Sequence, residues 1–345
     1  MTVVTPPADA GTIQRMTETT IAPAAPGELE PQLEQYRTEL TAYAYRMLGS
    51  AFEAEDAVQD TMVRAWKALD RFEGRSQLRS WLYRIATNVC LDMLGSRQRR
   101  ARPMDLEPAS SADRPLPAPL VETVWIEPAP DSLVVPSHGD PADVALARES
   151  VRLAFMAALQ HLPPKQRAVL ILREVLRWRA SEVAELLDTS VASVNSALQR
   201  ARATLDQVDG DGEVAASATL DEASEDLLAR YVAAFESYDM DALTSLLHAD
   251  AKWNMPPYAL WLNTHEDIVK WCLGPGHGCR DSKLVRVQAN GSPAWGQYKP
   301  APDGGWEPWS IQVMESRDGK ISGLTFFLDT QRWFPLFGLP PRLDA

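Results

Sequence analysis

The stretch from Lys165 to Leu205 constrains the fold of this chain more than any other segment. It contains two short amphipathic helical patterns joined by a four-residue turn, with the small Ala184 in the first and Val194 ten positions later. This spacing is typical of a helix-turn-helix, in which two helices approach closely. Asp188 stands in the turn where Gly is usual, and Asp tolerates the left-handed backbone needed there. An ordinary helical hairpin with a solvated face is the alternative interpretation.

The second helix of this motif separates apolar from polar residues. One stripe at helical spacing is apolar: Val194, Leu198, Ala201 and Leu205. The opposite side carries residue types that read base edges and contact phosphates: Asn195, Ser196, Gln199, Arg200 and Arg202. The pattern therefore predicts a face that binds DNA.

The net charge of −13 argues against nucleic-acid binding only until it is divided along the chain. Residues 31–102 hold 12 basic and 9 acidic side chains, and residues 148–205 hold 9 and 5. The intervening residues 103–147 hold 1 and 8, and residues 207–345 hold 11 and 20. Two basic modules therefore alternate with acidic segments, an asymmetry typical of DNA-binding modules within an acidic chain.

Periodicity and composition divide the chain into six segments. In order, we predict a disordered tail, a helical module, an acidic proline-rich linker, a second helical module, a polar linker and a module of helices and strands. Their predicted bounds are 1–30, 31–102, 103–146, 147–206, 207–224 and 225–345. Within the first linker, residues 121–128 are too apolar for a spacer, so we expect them to dock elsewhere on the protein. The fold class is multidomain, with two all-α modules followed by an α+β module.

The first helical module contains two long amphipathic patterns. The first has a buried stripe opposite Asp56, Gln59 and Asp60, and the stripe consists of Val58, Met62, Ala65 and Leu69. The second begins after Ser76, which is placed as an N-cap, and its apolar stripe runs from Leu78 to Met93. Its flank presents Trp81, Arg84 and Asn88, and it is followed by four arginines: Arg97, Arg99, Arg100 and Arg102.

The last module begins with helices and continues with strands. Helical patterns cover 227–235, 241–247 and 266–273, and strand patterns cover 252–255, 283–289, 294–298, 309–315 and 321–328. Asp318-Gly319 joins the last two strands, and Asp-Gly between strand patterns is a strong hairpin signal. The N-terminal tail does not have the pattern of a signal peptide, and no apolar run is long enough for a membrane span. Three cysteines are too few for a disulfide framework, so a cytoplasmic protein is expected.

In combination, Glu55–Trp66, Phe72–Asp92 and Arg179–Arg202 resemble regions 2 and 4 of an extracytoplasmic-function (ECF) sigma factor of the sigma-70 family. Residues 227–340 resemble the SnoaL-like (NTF2-like) domain fused to some of these factors, closest to the actinobacterial sigma-G type. The resemblance implies a cone-shaped α+β barrel for that domain. It also implies that the protein directs core RNA polymerase to promoters, with the C-terminal domain as a built-in regulator.

The resemblance implies a role for each matching face. Asp56, Gln59 and Asp60 match the region 2 face that contacts the β′ subunit of core polymerase, where a solvated helix face is the alternative. The factor as a whole is expected to contact both the β′ and the β subunits. The −10 promoter element is assigned to Phe72, Ser76, Trp81, Arg84, Asn88, Arg97, Arg99 and Arg100, because a melted strand needs aromatic faces and phosphate-binding arginines. Trp81 has an alternative role in the core. The −35 element is assigned to Ser193, Asn195, Ser196, Gln199, Arg200 and Arg202.

Two other function classes remain open at this point. SnoaL-like domains include cyclases and isomerases, and the candidate pocket residues here are Tyr231, Trp253 and Asp329. Asp329 is the best single candidate for a catalytic residue, but a cap at a strand end explains it equally well. An enzyme tethered to a DNA-binding module is therefore kept as the alternative function. A helix-turn-helix regulator that acts without polymerase is a second alternative. No cofactor or metal is expected, since Cys272, His277 and Cys279 lack a fourth ligand.

Overall fold

The computed structural model describes residues 32–69, 72, 77–95, 99–208 and 222–344. The first module contains three helices: α1 (Arg37–Leu48), α2 (Ala51–Ala68) and α3 (Leu78–Leu94). Gly49 ends α1 in the left-handed conformation, and the Ser50 hydroxyl caps α2 by accepting a hydrogen bond from the Glu53 N–H. The stripe predicted on α2 faces the core, with Val58, Ala65 and Leu69 buried and Met62 half-buried. Ser76, the predicted cap of α3, lies outside the described residues.

The second module contains five helices and a π-helical turn. The helices that precede the predicted motif are α5 (Pro141–Glu149), α6 (Leu153–Gln160) and α7 (Pro164–Leu170). The chain continues from α7 through a π turn at Ile171–Val175 and reaches a positive φ of 55° at Arg177, where the helical pattern ends. The predicted motif follows as α8 (Ala180–Leu186) and α9 (Val191–Val208). Since α9 packs on α7, the motif is part of a helical bundle.

The acidic linker is extended, as its nine prolines predict, but it is not a free spacer. It contains a short α-helix, α4 (Asp131–Val134), and 3-10 turns at Pro103–Asp105 and Glu122–Val124, and its backbone bonds to the C-terminal module. The N–H of Ser110 donates to the Trp261 carbonyl at 2.7 Å, and that of Leu120 donates to the Pro257 carbonyl at 2.8 Å. Within the apolar 121–128 stretch, Trp125 and Ile126 are buried. These contacts agree with the expectation that this apolar stretch docks elsewhere on the protein.

The C-terminal module is an α+β domain built on one six-stranded sheet. Its helices are α10 (Glu222–Glu236), α11 (Met240–Leu246), α12 (His265–Leu273) and α13 (Thr330–Leu336). Its strands are β1 (Leu247–Asn254), β2 (Trp261–Leu262), β3 (Lys283–Ala289), β4 (Ser292–Pro300), β5 (Trp306–Arg317) and β6 (Lys320–Phe327). The order is β2-β1-β6-β5-β4-β3, with β1 and β6 parallel and the other pairs antiparallel. The predicted hairpin is present, with Arg317 paired to Lys320.

The two faces of this sheet pack on different partners. Side chains alternate along a strand, so Phe326 and Phe327 point to opposite faces. Phe326 lies in a cluster with Tyr231 and Phe235 of α10. Phe327 lies in a second cluster, which also contains buried residues of both helical modules and of the linker. One sheet face therefore completes the domain, and the other joins it to the rest of the chain.

The tip of the β3–β4 hairpin fixes this junction. Asn290 has a φ of 56° and Gly291 a φ of 65°, the left-handed pair that a two-residue hairpin needs. The Asn290 side chain donates to the Tyr45 hydroxyl at 2.6 Å and to the Val151 carbonyl at 2.7 Å, and it accepts from the Ala129 N–H at 3.0 Å. One buried amide thus bonds to the first module, the second module and the linker.

We expect Gly291→Ala to loosen this junction. A Cβ at Gly291 would lie 2.5 Å from the Arg148 carbonyl oxygen, a backbone atom of the second module. Gly319→Ala is the matched control, because Gly319 occupies the same position of the Asp-Gly hairpin at φ 70° with no neighbour within 4 Å. Both variants carry the left-handed penalty of about 1–2 kcal/mol, but only the first meets a clash. Small-angle scattering should show a larger radius of gyration for Gly291→Ala alone, and equal radii would contradict this account.

Candidate functional site

The outer face of α2 is open to solvent. Asp56 and Gln59 are exposed, and Asp60 is half-buried and pairs with Arg64 at 2.8 Å. This face continues through two apolar side chains that helical spacing places beside them, Val63 (42% exposed) and Trp66 (64% exposed). Sequence analysis did not single out Trp66, although its position three residues after Val63 marks it as a member of the face. Carboxylates beside exposed apolar groups form a surface suited to a basic protein partner.

The flank of α3 brings some of the candidate strand-binding residues together. The rings of Phe72 and Trp81 lie 5.0 Å apart, and both side chains are half-buried. Trp81 also packs against the core, which agrees with its alternative role, and its role in strand capture stays a prediction. Asn88 is exposed on the same helix. Ser76 and Arg97 lie outside the described residues.

Arg84 of this flank contacts the second helical module. Its guanidinium donates to the Glu185 carbonyl of α8 at 2.9 Å. Beside it, the Tyr83 and Trp178 rings lie 5.0 Å apart, and the Arg79 guanidinium lies 5.4 Å from the centre of each ring. The flank that matches strand capture is therefore packed against the helix-turn-helix in this arrangement.

Arg100 has a different role from the one its sequence position indicates. It is 6% exposed, donates to Glu53 at 2.7 Å and to the Trp125 carbonyl at 2.6 Å, and lies 3.6 Å from Glu127. The buried guanidinium has no path to a phosphate while the linker is docked, so the assignment of Arg100 to DNA stays a prediction for a state in which the linker has lifted. Arg99 remains exposed and contacts His161 at 2.6 Å. The two adjacent arginines differ because the chain after α3 turns back under the linker.

Glu127 is the centre of a buried ionic cluster. Its carboxylate accepts from Ser50, lies 3.6 Å from Arg100 and accepts from Arg332 at 3.3 Å. Burial raises the pKa of Glu127, while Arg100 and Arg332 act in the opposite direction. The cluster joins α2, the linker and α13. Each buried charge in it needs an opposite charge to offset the cost of its burial.

The helix-turn-helix has the predicted geometry. Asp188 has a φ of 49°, and the Thr189 N–H donates to the Ala184 carbonyl at 2.9 Å. Ala184 and Val194 are both buried where the helices meet. On the outer side of α9, the predicted residues are exposed apart from the half-buried Ser196: Ser193, Asn195, Gln199, Arg200 and Arg202.

Two of these side chains are held by neighbours within the same module. Arg200 donates to the Ser196 hydroxyl at 2.7 Å, which places both on one patch of α9. Arg202 pairs with Glu174 at 2.7 Å. Both pairs are exposed, so a phosphate can compete for these guanidinium groups at small cost.

A buried arginine of α1 also joins the two helical modules, and sequence analysis missed it. Arg46 donates to the Ser150 hydroxyl at 2.9 Å and to the Ala147 carbonyl at 3.2 Å. Burial lowers its pKa to about 10, so the guanidinium remains charged at neutral pH. Its position among buried residues of α1 was the only available signal, since its partners lie about a hundred residues away.

The three candidate pocket residues of the C-terminal domain do not line one pocket. Tyr231 is buried, and its hydroxyl donates to Gln312 at 2.6 Å in a network that continues to Gln297. Trp253 lines a cavity of about 30 Å³ on the same side of the sheet. Asp329 instead lines a separate cleft of about 220 Å³ beside the linker. The grouping of these residues in one site is therefore corrected.

No helix in the described ranges combines the length and apolar character needed to cross a bilayer. Three family profiles match the chain: Sigma-70 region 2 over residues 33–100, Sigma-70 region 4 over residues 152–205, and the SnoaL-like domain over residues 228–324. The matches cover both helical modules and most of the domain built on the sheet.

Whole-chain relatives carry the same combination. The chain is 46% identical to the ECF RNA polymerase sigma factor SigG of Mycobacterium tuberculosis over 321 residues, which cover 92% of this chain and 85% of that protein. It is 29% identical to SigJ of the same species over 312 residues, 85% of this chain and 89% of that one. The crystal structure of SigJ has the same fold, with a TM-score of 0.58 and 24% identity over 90% of this chain and 99% of that one. The chain therefore belongs to the ECF sigma factors of the sigma-70 family, which direct RNA polymerase to promoters, and it carries a C-terminal SnoaL-like domain.

Proposed function

We propose that this sigma factor exists in two arrangements, a compact one held by the C-terminal domain and linker, and an open one that reads promoters. In the open arrangement, the first module (region 2) captures the −10 strand and the second module (region 4) reads the −35 element. The observation that carries this proposal is the contact of Arg84 with Glu185, which places the strand-capturing flank against the helix-turn-helix. The C-terminal domain then acts as a built-in regulator.

The dimensions of a promoter support two arrangements. Elements roughly 25 base pairs apart are separated by about 85 Å along B-form DNA, which rises about 3.4 Å per base pair. A module of about 70 residues is only about 30 Å across. Two such modules in direct contact cannot reach both elements, so bipartite recognition requires them to separate.

The faces of the two modules fit different parts of this task. The paired rings of Phe72 and Trp81 offer stacking surfaces for unpaired bases, with Arg99 nearby in sequence for phosphates. The outer side of α9 offers polar side chains for the major groove. The exposed α2 face with Asp56, Gln59 and Asp60 is the contact for core polymerase, and its partner is the β′ subunit, with β as a further contact of the factor.

An enzymatic role for the C-terminal domain finds less support. On the sheet face covered by α10–α12, Tyr231, Gln297 and Gln312 are bonded to one another, so their polar groups are already satisfied. Burial raises the pKa of Tyr231 well above its usual range, which makes it a poor base at neutral pH. The cavity that Trp253 lines on that side measures about 30 Å³, which is small for a substrate. We therefore propose a regulatory domain that does not catalyse.

Charge reversal on α2 tests the polymerase contact. Asp56→Lys combined with Asp60→Lys should weaken binding to core RNA polymerase at least tenfold, because like charges across an interface cost several kcal/mol. The matched control is Asp241→Lys with Asp318→Lys, which makes the same change in net charge on exposed sites of the C-terminal domain. Fluorescence anisotropy of the labelled factor measures both affinities. Equal affinities with unchanged helicity would exclude α2 as the polymerase contact.

Alanine variants test the division between the two DNA-binding faces. Arg200→Ala with Arg202→Ala should weaken duplex binding and reduce its salt slope by about two, one for each lost phosphate contact. Trp81→Ala should leave duplex binding unchanged and impair strand opening, measured by permanganate footprinting of a promoter with holoenzyme. If the arginine variant and Trp81→Ala are both impaired in duplex binding, or both only in strand opening, the division between the two DNA-binding faces is wrong.

Release of the hairpin tip tests the regulatory role. Asn290→Gly keeps the left-handed turn and removes three side-chain hydrogen bonds worth about 0.5–1.5 kcal/mol each, so opening should become at least tenfold more favourable. Run-off transcription at limiting factor concentration should rise, as it should for a chain that ends at Gly212. Asp318→Gly places Gly at the equivalent left-handed position of the β5–β6 hairpin and should match the unaltered protein. Unchanged transcription by Asn290→Gly and by the shortened chain would exclude regulation by this domain.

A further inference from the structure

A cleft of about 220 Å³ lies between the linker and the C-terminal domain. Leu120 and Trp125 of the linker form one wall, and Pro257, Leu328 and Trp333 form the other. It lies on the opposite side of the sheet from α10–α12, because its wall includes Phe327 and not Phe326. The cleft exists only while the linker is docked, so an occupant would contact both segments at once.

The size and walls of the cleft define the shape of an occupant. An apolar cavity of about 150 Å³ holds one benzene ring, so a cleft of about 220 Å³ accommodates one or two rings. Prolines, aromatic rings and leucines favour flat apolar compounds through contact area. Trp125 is 4% exposed and its indole N–H has no hydrogen-bond partner among the described residues. A small shift of this ring toward an occupant with an acceptor would satisfy that donor.

The charges around the cleft select against anions. Three carboxylates lie on its lining, Glu122, Glu127 and Asp329, with the guanidinium of Arg332. The Arg100 guanidinium lies behind Glu127, outside the lining, and is also paired with Glu53 at 2.7 Å. Arg332 is already paired with Glu122, bonds to Glu127 at 3.3 Å and lies 3.8 Å from Asp329. Its charge is therefore taken up by the protein, and the cleft presents an excess of negative charge to an entering molecule.

We propose that this cleft is a binding site for uncharged or cationic compounds of one or two rings, and that a bound compound holds the linker on the C-terminal domain. Binding to the docked state alone stabilises that state by mass action. The effect on transcription, a shift toward the compact arrangement, rests on the function proposed above. The binding itself and the clamping of the linker do not.

Three probes with one naphthalene skeleton test the site on the full chain without polymerase or DNA. They are 1-naphthylmethylamine (cationic), 1-naphthylmethanol (uncharged) and 1-naphthoate (anionic), and their affinities are measured by calorimetric titration. The amine and the alcohol should bind saturably, and the carboxylate should bind at least tenfold more weakly. Absence of saturable binding by the first two overturns the site, and equal binding by the carboxylate overturns the charge selection.

A substitution that fills the cleft tests the location of the site, and amide hydrogen exchange tests whether a bound compound holds the linker. Leu328→Trp places a larger side chain in the wall and should abolish amine binding, whereas Leu273→Trp, at an exposed leucine remote from the lining, should not. At ten times its Kd, the amine should slow exchange of the amides in residues 120–127 about tenfold. Binding that survives Leu328→Trp overturns the location, and unchanged exchange overturns the clamp. Exchange slowed as expected, with unchanged transcription, would contradict only the regulatory function proposed above.

Discussion

The hydrogen bonds of Asn290 decide whether the two helical modules, the linker and the C-terminal domain behave as one body. Its amide satisfies groups on region 2, on the linker and on region 4 at a site with no access to water. A buried polar group that loses its partner costs about 1–3 kcal/mol. A β3–β4 hairpin tip that is only partly withdrawn therefore has a higher free energy than one that is fully docked or fully solvated. The junction therefore favours two discrete arrangements over a continuous range, which is the property that a switch requires.

The ionic cluster around Glu127 gives the linker the same all-or-none character. Glu127 and Arg100 are both nearly inaccessible, and removing one partner from a buried pair is more costly than leaving the pair intact. If the linker lifts, Glu127 leaves with it and Arg100 keeps only Glu53 as an ionic partner. Water must then enter beside Arg100. Undocking of the linker is thus coupled to the solvation of region 2 at Arg100.

Sequence patterns predicted the features that depend on neighbouring residues, such as turns and helix stripes. They missed the features that depend on contacts between residues far apart in the sequence. The helix-turn-helix with its left-handed Asp188, the stripe of α2 and the Asp-Gly hairpin follow from spacing and turn chemistry, and the structure confirms them. Asn290-Gly291 carries an equally strong hairpin signal that was overlooked, but its docking has no local signature. Arg99 and Arg100 are indistinguishable as residue types, and only the path of the linker separates an exposed arginine from a buried one. The candidate pocket residues were grouped wrongly for the same reason. Which side chains meet depends on the face of the sheet on which each lies, and spacing along the sequence does not give that.

Exposure of the α2 face in the compact arrangement limits what can open the protein. A partner shifts an equilibrium only by its difference in affinity for the two states. Asp56 and Gln59 are exposed while the modules are packed together, so a contact confined to them binds both arrangements alike and cannot separate the modules. Arg84 is different, because its guanidinium donates to Glu185 across the two modules, so a partner that takes this donor competes with the packed arrangement. Under the two-state function proposed above, the free energy of opening therefore has to come from contacts made only in the open arrangement. These are the proposed contacts of DNA with the α3 flank, or contacts of polymerase with surfaces that the packed modules cover.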